Sequence, residues 1–465
     1  MQGHAKEGIL KLIREKGIKI LNLCHIPEDC RLKTLSFAVR NDERLDEILE
    51  FGERVDGSSL FSYIDPNTSD VYILPRPETA FIDPFSPLPA LNVLCRYLDE
   101  NGKPLEIAPE NVLQKAEEKL HSSTGISLNT LAELEFYIIC KQVEPTPPEM
   151  SERNYQESAP YARLGDVRNE VLTKLEDSGF ATKYGHSEVG RFQSSSGYLM
   201  EQHEVEFLPR SLRKMAETVT IAQWEARNVC AKYGVSVSFS PKVALEHAGS
   251  GMHLHLCGVR RNRNVVSDSR GNLTAEARQM IGGILKFARS LTAFGNTTPI
   301  SYIRFISRKE SPMHICWGAR NRLALVRIPL WWNHKGAKGA DDCRRTFEFR
   351  GPDASANSYL LFAGIALAVQ HGLKNPREAK RIAEGLNADK VGKKRYGALP
   401  LSCVEAAESL ERDRAFYEAD GIFPRAVVDG VIRRLESYED ADMWKRLAGK
   451  SDEVDEFLWK HLMSS

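Results

Sequence analysis

Four short runs of this chain place an acid or an imidazole on every second residue. They are "LAELEFYII" (131–139), "QHEVEFL" (202–208), "GMHLHL" (251–256) and "RTFEFRG" (345–351). A β-strand sends successive side chains to opposite faces, so residues two apart share a face. The runs therefore pair Glu133 with Glu135, Glu204 with Glu206, His253 with His255, and Glu348 with Arg350, each backed by apolar residues. One half-buried strand with a wet face is ordinary. Here three of the wet faces carry glutamate without a nearby lysine, and the fourth carries paired histidines. Carboxylates lining one cavity would repel one another, and a divalent metal is the natural counter-ion. An oxygen-rich set with imidazole suits Mg²⁺ or Mn²⁺ better than zinc or copper.

The rest of the chain narrows the chemistry. Arg304, Arg320, Arg322, Arg327, Arg344, Arg345 and Arg350 crowd into one stretch, and arginine forks onto carboxylate or phosphate oxygens. The arginines of "RNRLALVRIP" (320–329) interleave with apolar residues, which predicts that they emerge from a packed element. A glycine turn, "AGSG" (248–251), feeds the histidine run. There is no G-x-x-x-x-G-K-[ST] and no kinase signature set. A carboxylate cage, a glycine turn and an arginine cluster together point to metal-assisted phosphoryl transfer from a nucleotide.

Composition excludes several other classes. Across 465 residues, Lys+Arg and Asp+Glu both number 63, so no global field favours nucleic acid. The cysteines number nine and form no C-x-x-C pair, which predicts reduced thiols rather than a disulfide or zinc framework. The amphipathic, charged N-terminus does not read as a signal peptide. The longest apolar stretch, "YLLFAGIALAV" (359–369), falls short of the ~20 residues that span a bilayer. These features predict a soluble cytoplasmic protein with neither nucleic-acid nor membrane partners. Residues 5–15 read as a helix, and 31–40 and 70–77 as strands, so the start of the chain forms a small α+β unit. Polar or Gly/Pro/Ser-rich stretches predict loops at 142–165, 189–200, 259–272 and 333–343.

At this point the chain resembles the glutamine synthetase family. The ordered matches are "VDGSSL" (55–60), "ELEFY" (133–137), "HSEV" (186–189), "EQHEVEF" (201–207), "GSGMHLH" (249–255), "NTTPISYIRF" (296–305), "NRLALVRIP" (321–329) and "FEFRGPDASANSYL" (347–360). "LPLSCVEAAESLERD" (399–413) resembles the family's C-terminal region more weakly. No single motif is highly specific; the ordered set is. The resemblance implies an α+β protein with a small β-grasp-like domain over 1–108. A catalytic domain over 109–465 follows, built on a curved antiparallel sheet with flanking helices. It implies a homo-oligomer, a dodecamer of two hexameric rings, with active sites between neighbouring subunits. The implied reaction is ATP-dependent ligation of glutamate and ammonium through a γ-glutamyl phosphate.

Residue by residue, the resemblance makes Glu135, Glu188 and Glu204 ligands of one Mg²⁺ or Mn²⁺, and Glu133, His253 and Glu348 ligands of a second. His255, Arg322 and Arg327 resemble groups that bind the phosphates of ATP. Arg304 and Arg350 resemble those that clamp the glutamate carboxylates, and Gly249 lies in the glutamate-binding loop. Glu310 resembles a flap glutamate that accepts a proton from ammonium. Asp56 resembles an aspartate supplied to the ammonium site by the adjacent subunit, and Tyr155 falls at a further ammonium-site position.

Several positions depart from the family pattern. Ala248 stands where asparagine is typical, Leu323 where serine is usual, and Thr346 where arginine is usual. "GRFQSSSGYLM" (190–200) lengthens the spacing between Glu188 and Glu204. Tyr396 sits near the adenylylation tyrosine of some bacterial members, in a poor local match that predicts no such modification. The departures fall partly around the amino-acid and nucleotide subsites, so two alternatives stay open. One is a ligase that joins glutamate to an organic amine such as a polyamine or ethanolamine. The other is a catalytically inactive homologue, against which the six candidate metal ligands argue.

Overall fold

The computed structural model describes residues 2–141, 151–194, 196–307, 309, 311–312, 314–331, 345–390, 397–443, 445 and 449–463. Glu310, Arg344 and Tyr396 lie outside the described residues. Two sheets organise the chain. The first contains β1 (Ile20–His25), β2 (Lys33–Ala38), β3 (Glu53–Asp56), β4 (Asp70–Pro75), β5 (Phe81–Ile82) and β6 (Ala90–Leu98), in the order β2-β1-β6-β4-β3 with β5 beside β6. The predicted helix at 5–15 spans Gln2–Lys16. Its Ile9 and Ile13 bury with Leu45, Ile48 and Leu49 of the helix Asp42–Phe51 against Leu21, Leu23, Ile73, Leu91 and Val93 of the strands. The period of this helix places its apolar residues on one side, and the sheet supplies the surface that buries them.

Among the described residues the second sheet has eleven strands. They are β7 (Ser127–Lys141), β8 (Thr182–Gln193), β9 (Tyr198–Phe207), β10 (Arg210–Ser211), β11 (Ser236–Ser238), β12 (Met252–Arg260), β13 (Arg263–Asn264), β14 (His314–Ala319), β15 (Ala324–Ile328), β16 (Phe347–Phe349) and β17 (Gly397–Ala398). The main order is β17-β14-β15-β16-β12-β7-β9-β8, antiparallel except for the parallel pair β14–β15. All four alternating runs are strands here, and β16, β12, β7 and β9 are consecutive neighbours. Their wet faces are therefore one face.

The other face is apolar. Leu134, Phe136 and Ile138 of β7, Val205 and Phe207 of β9, and Leu254 and Leu256 of β12 join one core with the helices Leu212–Lys232 and Ser358–Lys374. The longest apolar stretch is thus a core helix, apolar all round because it is covered all round. Glycines let it touch the helix Ala275–Lys286. A Cβ at Gly372 would lie 2.1 Å from the Gln279 carbonyl oxygen, and one at Gly283 2.0 Å from that of Ala368. Among the described residues no helix is long and apolar enough to cross a membrane, and their eight cysteines are free thiols.

One expected loop is largely strand. Residues 189–200 continue β8 to Gln193 and resume β9 at Tyr198, lengthening the hairpin instead of interrupting it. An ion pair, Arg76 Nη2 to Glu217 Oε1 at 2.6 Å, links the end of β4 in the first sheet to the helix Leu212–Lys232 that packs on the second. Beside it, Glu110 accepts the Tyr97 N–H at 3.0 Å. Burial pushes the Glu110 carboxyl up to about 7.

Candidate active site

Strand register assembles the site. Across the sheet His253 faces Glu133, Glu133 faces Glu206, Glu135 faces Glu204, and His255 faces Glu348. Arg327 lies opposite Glu348 on the far side, and His186 opposite Glu204. A cleft of about 670 Å³ opens over this face. Its walls include Glu133, Glu135, Glu188, Glu204, Glu206, His186, His253, His255, Arg322, Arg327 and Arg350.

Glu188 reaches the cleft through a bulge. The β8–β9 register passes from Ser187 opposite His203 to Arg191 opposite Glu201, setting residues 188–190 against Gln202 alone. Extra residues in one strand bend it and re-aim a side chain, here the Glu188 carboxylate. The lengthened spacing between Glu188 and Glu204 thus runs outward along the hairpin, and both carboxylates stay on the cleft wall.

The contacts divide the site in two. On the β16 side, Glu348 is fully buried and receives Arg327 Nη1 at 2.7 Å and the Arg350 guanidinium. Burial opposes its ionisation, but Arg350 and His255 outweigh that and hold its carboxyl low. Burial likewise opposes ionisation of Glu133, yet His255 Nε2 at 2.9 Å and His253 Nδ1 at 3.0 Å hold it well below the usual range. Burial disfavours charge on the His255 imidazole, and the Glu133 carboxylate reverses this and raises its pKa. Thr346 Oγ1 sits 2.9 Å from His255 Nδ1, which orients the ring.

On the β8–β9 side no arginine among the described residues reaches Glu204. Its neighbour is His186 Nε2 at 3.2 Å. Burial and then the charges of Glu133, Glu135, Glu188 and Glu206 push the Glu204 carboxyl well above its ordinary value. A divalent cation fits this donor set. Three groups place ligand atoms within 4.8 Å of one another: Glu133 with Glu204 and His253, Glu133 with His255 and Glu348, and His186 with Glu188 and Glu204. Carboxylate oxygens with a single imidazole in each group suit Mg²⁺ or Mn²⁺.

The remaining predicted residues fall at different depths. Arg322 stands exposed at the cleft rim, and Tyr155 lines the wall with its ring edge-on to His186 at 5.3 Å. Gly249 and Gly251 lie over Arg304: a Cβ at Gly251 would approach Arg304 Nη2 to 2.6 Å, and one at Gly249 the Pro241 carbonyl oxygen to 2.7 Å. Arg304 itself is 2 % exposed. Its guanidinium donates to the Gly351, Pro352 and Arg350 carbonyls at 3.0, 3.4 and 3.4 Å, beneath the turn and behind the cleft wall. Asp56 stands apart at the end of β3, outside the lining of this cleft. The Ser59, Ser58 and Ser69 hydroxyls hold its carboxyl well below the usual range.

Comparison with known proteins identifies the family. The family model described as the glutamine synthetase catalytic domain matches residues 106–443, and that of the glutamine synthetase beta-Grasp domain matches residues 28–100. The chain belongs to the glutamine synthetase family. The glutamine synthetase of Pyrococcus horikoshii is 31% identical over 423 residues, covering 89% of each chain. That of Thermotoga maritima is 30% identical over 425 residues, covering 89% of this chain and 92% of its own. In structure, the chain matches a cryo-EM model of Plasmodium falciparum glutamine synthetase with a TM-score of 0.78 at 19% identity, covering 97% of this chain and 98% of that one. The β-grasp N-terminal unit and the curved sheet with flanking helices are therefore the family's fold.

Sequence reasoning missed His186, Lys183 and the role of Thr346. His186 shares a face with Glu188 by the same alternation that found the other teeth, so the signal was present in "GHSEV". Lys183, whose Nζ lies 2.6 Å from Glu206 Oε1, sits on β8 and becomes Glu206's neighbour only through strand pairing.

Proposed function

We propose that the protein is an ATP-dependent ligase that joins ammonia to the γ-carboxylate of glutamate through a γ-glutamyl phosphate. The observation that carries this reading is the division of one cleft into a carboxylate-surplus side and an arginine-bearing side, in a chain of this family. A carboxylate is a poor acyl donor because oxide is a poor leaving group. Phosphorylation turns that oxygen into phosphate, which leaves readily.

In this reading Glu135, Glu188 and Glu204 hold one Mg²⁺ or Mn²⁺, and Glu133, His253 and Glu348 hold a second. The metals supply positive charge for the phosphate oxygens. His255, Arg322 and Arg327 bind the phosphates of ATP and stabilise the charge that moves during transfer. Arg350 faces the amino acid at the cleft wall. Arg304 sets the height of the turn carrying Gly249 and of the carbonyls on either side of Gly351. Asp56 of a neighbouring subunit and Glu310 take the proton from ammonium, which fits a homo-oligomer and, by family resemblance, a dodecamer of two hexameric rings. The reading keeps a β-grasp-like domain over 1–108 and a catalytic domain over 109–465, and a cytoplasmic setting suits the free thiols of the described residues.

The test is phosphate release with ATP, Mg²⁺ and glutamate, comparing ammonium with polyamines and ethanolamine. Ammonium is expected to be the best acceptor. Turnover with an organic amine alone would replace ammonia by that amine, and no glutamate-dependent phosphate with any acceptor would overturn the ligase reading.

A further inference from the structure

The lengthened β8–β9 hairpin ends against the glycine turn. The Phe192 ring stacks on the His247 imidazole with centroids 3.6 Å apart and planes 2° apart. Nδ1 of that imidazole lies 3.1 Å from Glu152 Oε1, and the other Glu152 oxygen accepts the Ala248 N–H at 2.8 Å. The Tyr137 hydroxyl donates to the Ala248 carbonyl at 2.8 Å. In the bulge, the Gly190 N–H donates to Gln202 Oε1 at 3.0 Å, and Gln202 Nε2 donates to the Gly249 carbonyl at 3.1 Å. Gly190 is packed into both anchors: a Cβ there would lie 1.9 Å from the Tyr137 hydroxyl oxygen and 2.7 Å from Gln202 Oε1. The hairpin is itself supported from behind. Phe192 packs with Tyr137, Met200, Val243 and Leu462, and Tyr198 meets Trp459 at 5.6 Å.

These contacts bear on the residue that departs from the family. Ala248 offers only a methyl group, so its place in the site is set by what its backbone touches. Its N–H and its carbonyl are both held, as is the next carbonyl, and all three anchors touch the hairpin or its bulge. A stacked ring fixes the plane of its partner and excludes water from the hydrogen bonds beside it.

We propose that the β8–β9 extension is a brace for the turn 248–251, with Phe192 a positioning residue for the amino-acid substrate. The proposal rests on the reading of that turn as the amino-acid subsite. It predicts a one-sided effect. The brace touches 247–249, whereas the phosphate-side His255 is held by Glu133 and Thr346.

The experiment compares Phe192→Leu and Phe192→Tyr with wild type in the full-length protein. Phe192→Leu keeps apolar bulk and loses the flat ring; Phe192→Tyr keeps the ring. Phe192→Leu is expected to raise KM for glutamate by roughly tenfold, equivalent to ~1.4 kcal/mol, while KM for ATP stays within about twofold. Phe192→Tyr is expected to stay near wild type. Hydrogen exchange of the backbone amides at 247–251 is the second readout, and it is expected to quicken in Phe192→Leu only. Equal rises in both KM values, or an unchanged KM for glutamate, would overturn the positioning role. Unchanged exchange would overturn the brace. If wild type shows no glutamate-dependent turnover, the ligase reading falls, and the exchange measurement still decides whether the hairpin braces the turn.

Discussion

Glu348 and Glu204 are both buried carboxylates on the wet face of one sheet, and their surroundings are opposite. Glu348 stands between Arg327 and Arg350, and these partners with His255 hold its charge. Glu204 stands among four other carboxylates that oppose its charge. The contrast shows where the site needs something from outside. The β16 side is neutralised by the chain's own arginines; on the β8–β9 side Lys183 answers Glu206 alone, and Glu204 has the His186 imidazole beside it. Uncompensated charge of this kind is costly to the fold and marks a place built for a cation.

The comparison can be broken most forcefully at Glu348. Glu348→Ala takes the carboxylate away from the buried Arg350 and the half-buried Arg327 and is expected to destabilise the protein by about 3–5 kcal/mol, read by urea unfolding. A loss below ~1 kcal/mol would mean that the arginines find other partners.

The opposite outcome is expected at Glu204. Mn²⁺ at about 100 times a site's dissociation constant is expected to stabilise wild type by ~2.7 kcal/mol for that site, and Glu204→Gln to lose the share of the site that Glu204 serves. Without metal, Glu204→Gln is expected to be more stable than wild type once the pH passes the raised folded-state value of Glu204. The sign follows from the raised pKa. A carboxyl that ionises at higher pH when folded contributes stability below its unfolded value and loses it as pH rises through the folded value. Thermal melts across pH, with and without Mn²⁺, separate these effects. A Glu204→Gln protein that still gains fully from Mn²⁺ would place the cation elsewhere.

Glu110 sharpens the contrast, because its carboxyl is also raised, to about 7, yet it lies at the junction of the two sheets and not in the cleft. Glu110→Gln keeps an oxygen for the Tyr97 N–H. It is expected to stabilise the protein by on the order of 1–3 kcal/mol above pH 7 and to change little below pH 4.5, with or without Mn²⁺. A Mn²⁺-dependent difference would contradict this separation. The smallest effect belongs to Thr346→Val, which removes a hydrogen bond to His255. Its expected cost is about 1 kcal/mol of stability, with a rise of a few-fold in KM for ATP.

The teeth of the site were legible because alternation is a local property. Glu133, Glu135, Glu204, His253 and Glu348 follow from period two alone, and the strand order then brings them together. What was not legible depends on pairing. The serines and glycine of 194–197 hid the strand ends on either side, so a hairpin extension read as a loop. The bulge that aims Glu188 is a count of residues on one strand against another, which no single strand contains. Arg304 read as a carboxylate clamp, but its depth comes from the packing of the turn over the helix Pro299–Ile306.

The most direct test of the central claim follows an oxygen atom. Glutamate labelled with ¹⁸O in its γ-carboxylate is supplied with ATP, Mg²⁺ and ammonium, and the released phosphate is analysed by mass spectrometry. If the cleft activates glutamate by phosphorylating it, each phosphate carries one oxygen from the carboxylate. Phosphate free of label would mean that the terminal phosphoryl group goes to water or to another acceptor, and would contradict the account.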